Sequence, residues 1–244
     1  MRRDVLRLPV NRLGLRIRGS IFEPLIRQVG REMRVRGISL RPQWYLSDGY
    51  GCVIDTCNIG LKWVEAIGQI PALARRFRRL LRPSDQVLRT LRHEIGHAFC
   101  YVHRLYRRPD FRRLFGVRGD FYGTYPDGVW TPTRETRRRF RSGRYIFVYC
   151  LRHPDEDFAV TFQTWLDPAS GWEDRFRDRP AVRRKLRCVE EMVRRYGRRP
   201  YRTDPTDLDA PISELGFAAG EYLSRERIHR PGGGWYRYRW SGDS

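Results

Sequence analysis

The chain has 244 residues, 49 basic against 28 acidic side chains and a formal net charge of +21. That length is room for one good-sized domain or two small ones, and 40% apolar residues with 7 Trp, 13 Tyr and 12 Phe can build a core. No apolar run approaches transmembrane length, and the basic start lacks an uninterrupted apolar stretch, so neither a membrane span nor a secretory signal is expected.

Residues 12–19 read as a short strand-forming start. Residues 20–36 place Ile21, Leu25, Ile26, Val29 and Met33 at helical spacing, with Ser20 and Glu23 as a capping box and Gly37 as the stop. Residues 38–46 predict a strand running into the Ser47-Asp48-Gly49 turn, and Val53 and Ile54 begin a second. Residues 61–81 read as an amphipathic helix interrupted at Pro71. Ser84 is the N-cap of a helix running to about Leu105, with Val87, Leu88, Leu91, Ile95, Ala98 and Phe99 as its apolar positions. Residues 109–143, rich in Gly, Pro and Arg, read as a long loop, and Tyr145–Tyr149 as a short apolar run. Further helices are expected from Asp155 to about Leu166 and over 180–196, ending at Gly197. After Pro200 the periodicity decays. Residues 1–200 therefore read as one domain and 201–244 as a loosely ordered extension, whose Trp-Tyr-Arg-Tyr-Arg-Trp run is of the kind that stacks on bases when it is held on an ordered surface.

Cys52, Cys57, Cys100, Cys150 and Cys188 are odd in number and contain no CxxC pair, which predicts reduced thiols and a cytoplasmic location. Lys62 and Lys185 are the only lysines, so 47 of the basic residues are arginine. The excess is spread along nearly the whole chain, the mark of codon bias in a GC-rich genome, whereas a dedicated nucleic-acid patch would be local.

The chemistry lies in His93-Glu94-Ile95-Gly96-His97, an HExxH motif. Two histidines four residues apart share a helix face, so both imidazoles reach one Zn²⁺. Glu94 between them can take a proton from a metal-bound water. Catalytic zinc needs a third protein ligand. His103 has metzincin spacing, but Cys100 stands where that pattern needs a turning glycine, and the chain offers no Met-turn because Met192 falls within a helical pattern. A carboxylate in the first turn of the next helix can serve instead, and spacing alone does not separate Glu156 from Asp155 and Asp157.

Leu91-Arg92-His93-Glu94-Ile95-Gly96-His97-Ala98, then Phe115-Gly116, then Tyr149 and His153-Pro154-Asp155-Glu156-Asp157-Phe158-Ala159 closing on Trp165-Leu166, resemble a bacterial zinc-binding metallopeptidase family of gluzincin type. The resemblance spans roughly residues 12–196, and the tyrosine-then-EDFA arrangement is also similar to the zinc site of anthrax lethal factor. It implies Glu156 as the third zinc ligand and Tyr149 as hydrogen-bond donor to the oxyanion, a suitable role for a phenol near zinc. The outer end of a core strand is the plainer place for Tyr149. The chain departs from the family at Val160, where the family has a glutamate of the kind that orients a zinc-bound histidine. Its absence leaves Asp157 or another acid to substitute, or a weakened site.

The expected fold is α+β and zincin-like: a small twisted N-terminal sheet and the motif helix facing a mostly helical C-terminal half across the zinc cleft. The expected activity is zinc-dependent hydrolysis of peptide bonds, with His93, His97 and Glu156 on zinc, Glu94 as base and Tyr149 on the oxyanion. An extended peptide or protein substrate, acidic if the arginines matter, would pair along the 38–55 strand region. Two other readings stand beside it: an inactive zincin-like peptide binder, and an arginine-rich nucleic-acid protein with structural zinc, for which Glu94 would have no use.

Overall fold

The computed structural model describes residues 4–123 and 130–228. The aromatic run of the C-terminal tail lies outside them. The helices are α1 (Asp4–Arg7), α2 (Phe22–Val35), α3 (Pro71–Arg76), α4 (Ser84–Val102), α5 (Pro109–Phe115), α6 (Arg134–Phe140), α7 (Pro154–Leu166), α8 (Trp172–Arg175), α9 (Pro180–Tyr196) and α10 (Ala219–Ile228). The strands are β1 (Gln43–Ser47), β2 (Gly51–Cys52) and β3 (Asn58–Lys62). The architecture is α+β and mostly helical, and no helix among the described residues is long and apolar enough to cross a membrane.

The sheet has the order β1-β3-β2. β1 runs parallel to β3 from Gln43↔Asn58 to Ser47↔Lys62, and β2 is antiparallel, pairing Gly51 with Gly60 and Cys52 with Ile59. Residues 58–61 are buried, as befits a central strand. That burial explains why an apolar run starting at Leu61 read as helix: the strand's end and the 3-10 turn at Trp63–Gln69 are both covered, so no amphipathic period separates them. The second strand falls two residues earlier than expected, because Asp55, with φ 58°, turns the chain between β2 and β3. Residues 12–19 form no strand; Gly14 and Gly19 both have positive φ and break the extended path.

α2 begins as its sequence suggests, one residue displaced. Ser20 Oγ accepts from the Phe22 N–H at 3.2 Å, and Glu23 Oε2 accepts from the Gly19 N–H at 2.7 Å. The segment 109–143 contains two helices that its composition hid. Pro109 opens α5, and Thr133 caps α6 by accepting from the Thr136 N–H at 3.2 Å. The apolar run 145–149 forms no strand; it leads into a 3-10 turn at Val148–Leu151.

The core centres on α4 and α7, which cross closely and antiparallel, with α2 against α4 and α9 against α7. Phe99, Phe111, Phe158 and Phe162 fill the space around the crossing. Residues 203–223 are anchored to the rest of the fold at several points. Pro9 bridges to Ala218 and Ser47 to Pro211, while Leu215, Ala219 and Leu223 are buried. Their contacts are with the N-terminal segment, with β1 and β3 and with Trp63, a long-range pairing that no local period announces.

Candidate metal centre

α4 presents His93 and His97 on one face, four residues apart, and α7 opposes them with Glu156 in its first turn. α7 starts where it does because His153 Nδ1 accepts from the Asp155 N–H at 3.1 Å and Pro154 occupies the first helical position. His93 Nε2 lies 3.0 Å from His97 Nε2 and 3.1 Å from Glu156 Oε2, and His97 Nε2 lies 3.5 Å from the same oxygen. All three residues are buried, and they form the one group of candidate metal donors among the described residues. Donor atoms about 2.0–2.1 Å from a tetrahedral ion stand about 3.3 Å apart, so this triangle matches one face of such a coordination sphere. Two imidazoles and one carboxylate, with the fourth position open, are also the donors a catalytic zinc uses. The group fits a metal ion in both spacing and chemistry.

Without an ion, the triad holds its proton on histidine and its negative charge on Glu156, so an incoming metal would have to displace a proton from His97. Burial raises the Glu156 carboxyl, but its contacts with His93 and His97 outweigh this and hold it well below the usual range. Burial lowers His97, and the charges of Asp155 and Glu156 overcome that effect and hold it well above its usual value. Glu94, buried on the same helix, is pushed up by burial, with His93 and His97 opposing.

The three consecutive acids face three directions. Glu156 meets the histidines. Asp155 Oδ2 accepts from Tyr101 Oη at 2.6 Å and stands 2.9 Å from His97 Nδ1, off the N–H direction of the ring. Asp157 Oδ2 pairs with Lys185 Nζ at 2.5 Å, tying α7 to α9. The carboxylate beside the metal-facing histidine thus comes from Asp155, not Asp157, while Val160 is buried in apolar surroundings. Tyr101, four residues beyond His97 on the same face, went unnoticed in the sequence, although the i, i+4 spacing marks it.

Tyr149, in the 3-10 turn, donates to Glu156 Oε1 at 2.5 Å, and Arg152 Nη1 donates to Tyr149 Oη at 2.6 Å. The arginine also lies 3.6 Å from Glu156 Oε1. Nothing in the spacing pointed to Arg152. Trp130 meets the Tyr149 ring edge-on at 5.8 Å. His103 is not part of the group: it caps the end of α4, between the rings of Phe99 and Tyr196. β2 lies beside the motif helix, and Cys52, its thiol raised first by burial, also feels the charge of Glu94.

No family model, no curated protein and no solved structure matches the chain. The functional reading therefore stands on the site itself.

Proposed function

We propose that the protein is a zinc-dependent metallopeptidase with a zincin-like arrangement, resembling the gluzincins, in which His93, His97 and Glu156 hold the ion. The observation that carries this reading is the donor triangle, with edges of 3.0, 3.1 and 3.5 Å, built on an HExxH helix. Two nitrogen donors disfavour magnesium and calcium, which take oxygen ligands, and suit zinc.

When bound, zinc supplies Lewis-acid charge that lowers the pKa of a water towards 7 and polarises a carbonyl. Glu94 is the residue left for proton transfer. Its carboxyl, raised by burial against the opposing charges of His93 and His97, would take a proton from the attacking water and return it to the departing amine. Asp155 and Tyr101 hold the His97 ring in place. Tyr149 Oη is poised beside Glu156 to donate to the oxyanion, and Arg152 supports it from behind. β2, an edge strand next to α4, offers the backbone along which an extended substrate can pair. A purely structural ion would make no use of Glu94.

The test is zinc per chain by elemental mass spectrometry, with hydrolysis of a peptide library, on the native protein, Glu156→Ala and Glu94→Gln. About one zinc in the native protein, a clear loss in Glu156→Ala, and retained zinc with hydrolysis reduced about 10²–10⁴-fold in Glu94→Gln are the expected results. Native-rate cleavage by Glu94→Gln would overturn the mechanism.

A further inference from the structure

An open recess of about 1400 Å³ lies between α5, α6 and the first half of α9, against the first turn of α7. Nine basic side chains and four carboxylates line it, an excess of five positive charges. Three of those carboxylates are already in ion pairs, one of them with Lys185 of the lining itself. Asp157 pairs with Lys185 at 2.5 Å, Asp110 with Arg108 at 3.5 Å and Glu135 with Arg138 at 3.0 Å. Arg113, Arg118, Arg139, Arg144, Arg184 and Arg187 make no ion pair among the described residues. Arg183, on the same wall, has its Nε buried without a hydrogen-bond partner. Guanidinium groups gathered in a recess repel one another, and low-dielectric walls focus their field outwards. A multivalent anion relieves that repulsion, and carboxylates meet guanidinium forks in paired, charge-assisted hydrogen bonds.

Two observations select the kind of anion. The lining rings are Phe115, Tyr145 and the buried His153, and Lys185 Nζ stands over the first two, at 5.7 and 4.4 Å. Phe115 is buried as well, which leaves the recess poorly suited to the base stacking that single-stranded nucleic acid uses. Arg152 lines the recess and also bonds Tyr149 at the candidate metal centre, so the two sites share a side chain. We propose that the recess receives an acidic segment of a polypeptide substrate, whose carboxylates the arginines hold while the same chain passes Arg152 towards the metal centre. The second half of this proposal rests on the metallopeptidase reading; the first does not.

The experiment measures fluorescence anisotropy of a short labelled peptide of alternating Glu and Ser, against its Gln and Ser counterpart, on full-length Glu94→Gln protein. The acidic peptide should bind at least about tenfold tighter, with affinity falling steeply as salt rises. Adding Arg184→Glu and Arg187→Glu, both exposed on α9, should cost about tenfold or more. Adding Arg75→Glu and Arg78→Glu, exposed and outside the recess, should cost little. Equal affinity for the two peptides, equal loss from both pairs of reversals, or displacement by a lower concentration of an equally charged oligonucleotide would each overturn the proposal. Zinc content of the same samples reports on the other site: acidic-peptide binding without zinc upholds the recess and overturns the metallopeptidase reading alone.

Discussion

A Cβ placed on Gly96 would stand 3.0 Å from Ala159 Cα, 3.1 Å from Phe162 Cβ and 3.2 Å from the Ala159 carbonyl oxygen. The small residues between His93 and His97, and after Glu156, let α4 and α7 approach until the three donors meet. Gly96→Ala should therefore destabilise the fold by about 1–3 kcal/mol by overpacking, despite alanine's better helix propensity. It should also weaken zinc affinity, because the methyl pushes Glu156 away from the histidines. Urea unfolding and zinc titration of the variant test both effects; an unchanged midpoint would show that the helices yield without cost.

Asp155→Asn keeps the shape of the side chain and removes its charge. It should lower zinc affinity about 10–100-fold without unfolding the protein, as loss of an outer partner to a metal-binding histidine commonly does. Competition with a chromophoric chelator measures this. Tyr101→Phe, which removes the hydroxyl that donates to Asp155, should move the affinity in the same direction by a smaller factor.

Lys185→Met should destabilise by about 3–5 kcal/mol at neutral pH, since it strands a buried carboxylate. Burial, opposed by Lys185, already raises Asp157 to about 6. A raised carboxyl binds its proton more tightly in the folded state, so its contribution to stability falls as pH rises through about 4 to 6. The defect in Lys185→Met should thus be larger at pH 8 than at pH 5. Asp157→Leu together with Lys185→Met should recover most of the loss. Denaturation midpoints at the two pH values decide it.

His103 sits half-buried with Nε2 unbonded, and burial, aided by Arg199, lowers it to about 4. The unfolded chain, with an ordinary histidine near 6.5, binds more protons across that interval, so the contribution of His103 to stability is lost as pH falls from about 6.5 towards 4. Allowing for its partial exposure, the loss is about 1–2 kcal/mol. His103→Phe, with its ring kept between Phe99 and Tyr196, should show a shallower decline over that interval. Melting temperatures of the two proteins at pH 4.5 and 7.5 make the comparison; parallel declines would exclude His103 as the cause.

The helices α2, α4, α7 and α9 were legible because each is long and carries either an amphipathic stripe or a terminal signal such as Pro154 or Gly197. Strand β3 and the packed segment 211–223 were not, since their pairing partners lie far away in the chain or their burial is two-sided. At the site, spacing alone brought His93 and His97 together. It could not assign Asp155, Glu156 and Asp157, because consecutive residues on a helix point about 100° apart and only the neighbouring helices say which direction is which. Tyr101 and Lys185 are those neighbours.

α7 is pegged to the motif helix at both of its ends. At the start, Asp155 meets Tyr101 and His97; at the finish, Asp167 meets Arg92 at 2.8 Å, the same guanidinium that grips Glu32 of α2 at 2.7 Å. A rod fixed at two points cannot slide or rotate by a register, so ion capture would leave its backbone in place. The same amides of α4 and α7 should then be protected with and without zinc, their exchange slowed by the ion only through its mass-action stabilisation of the folded state, and uptake should carry little of the ordering entropy that a folding zinc finger must supply.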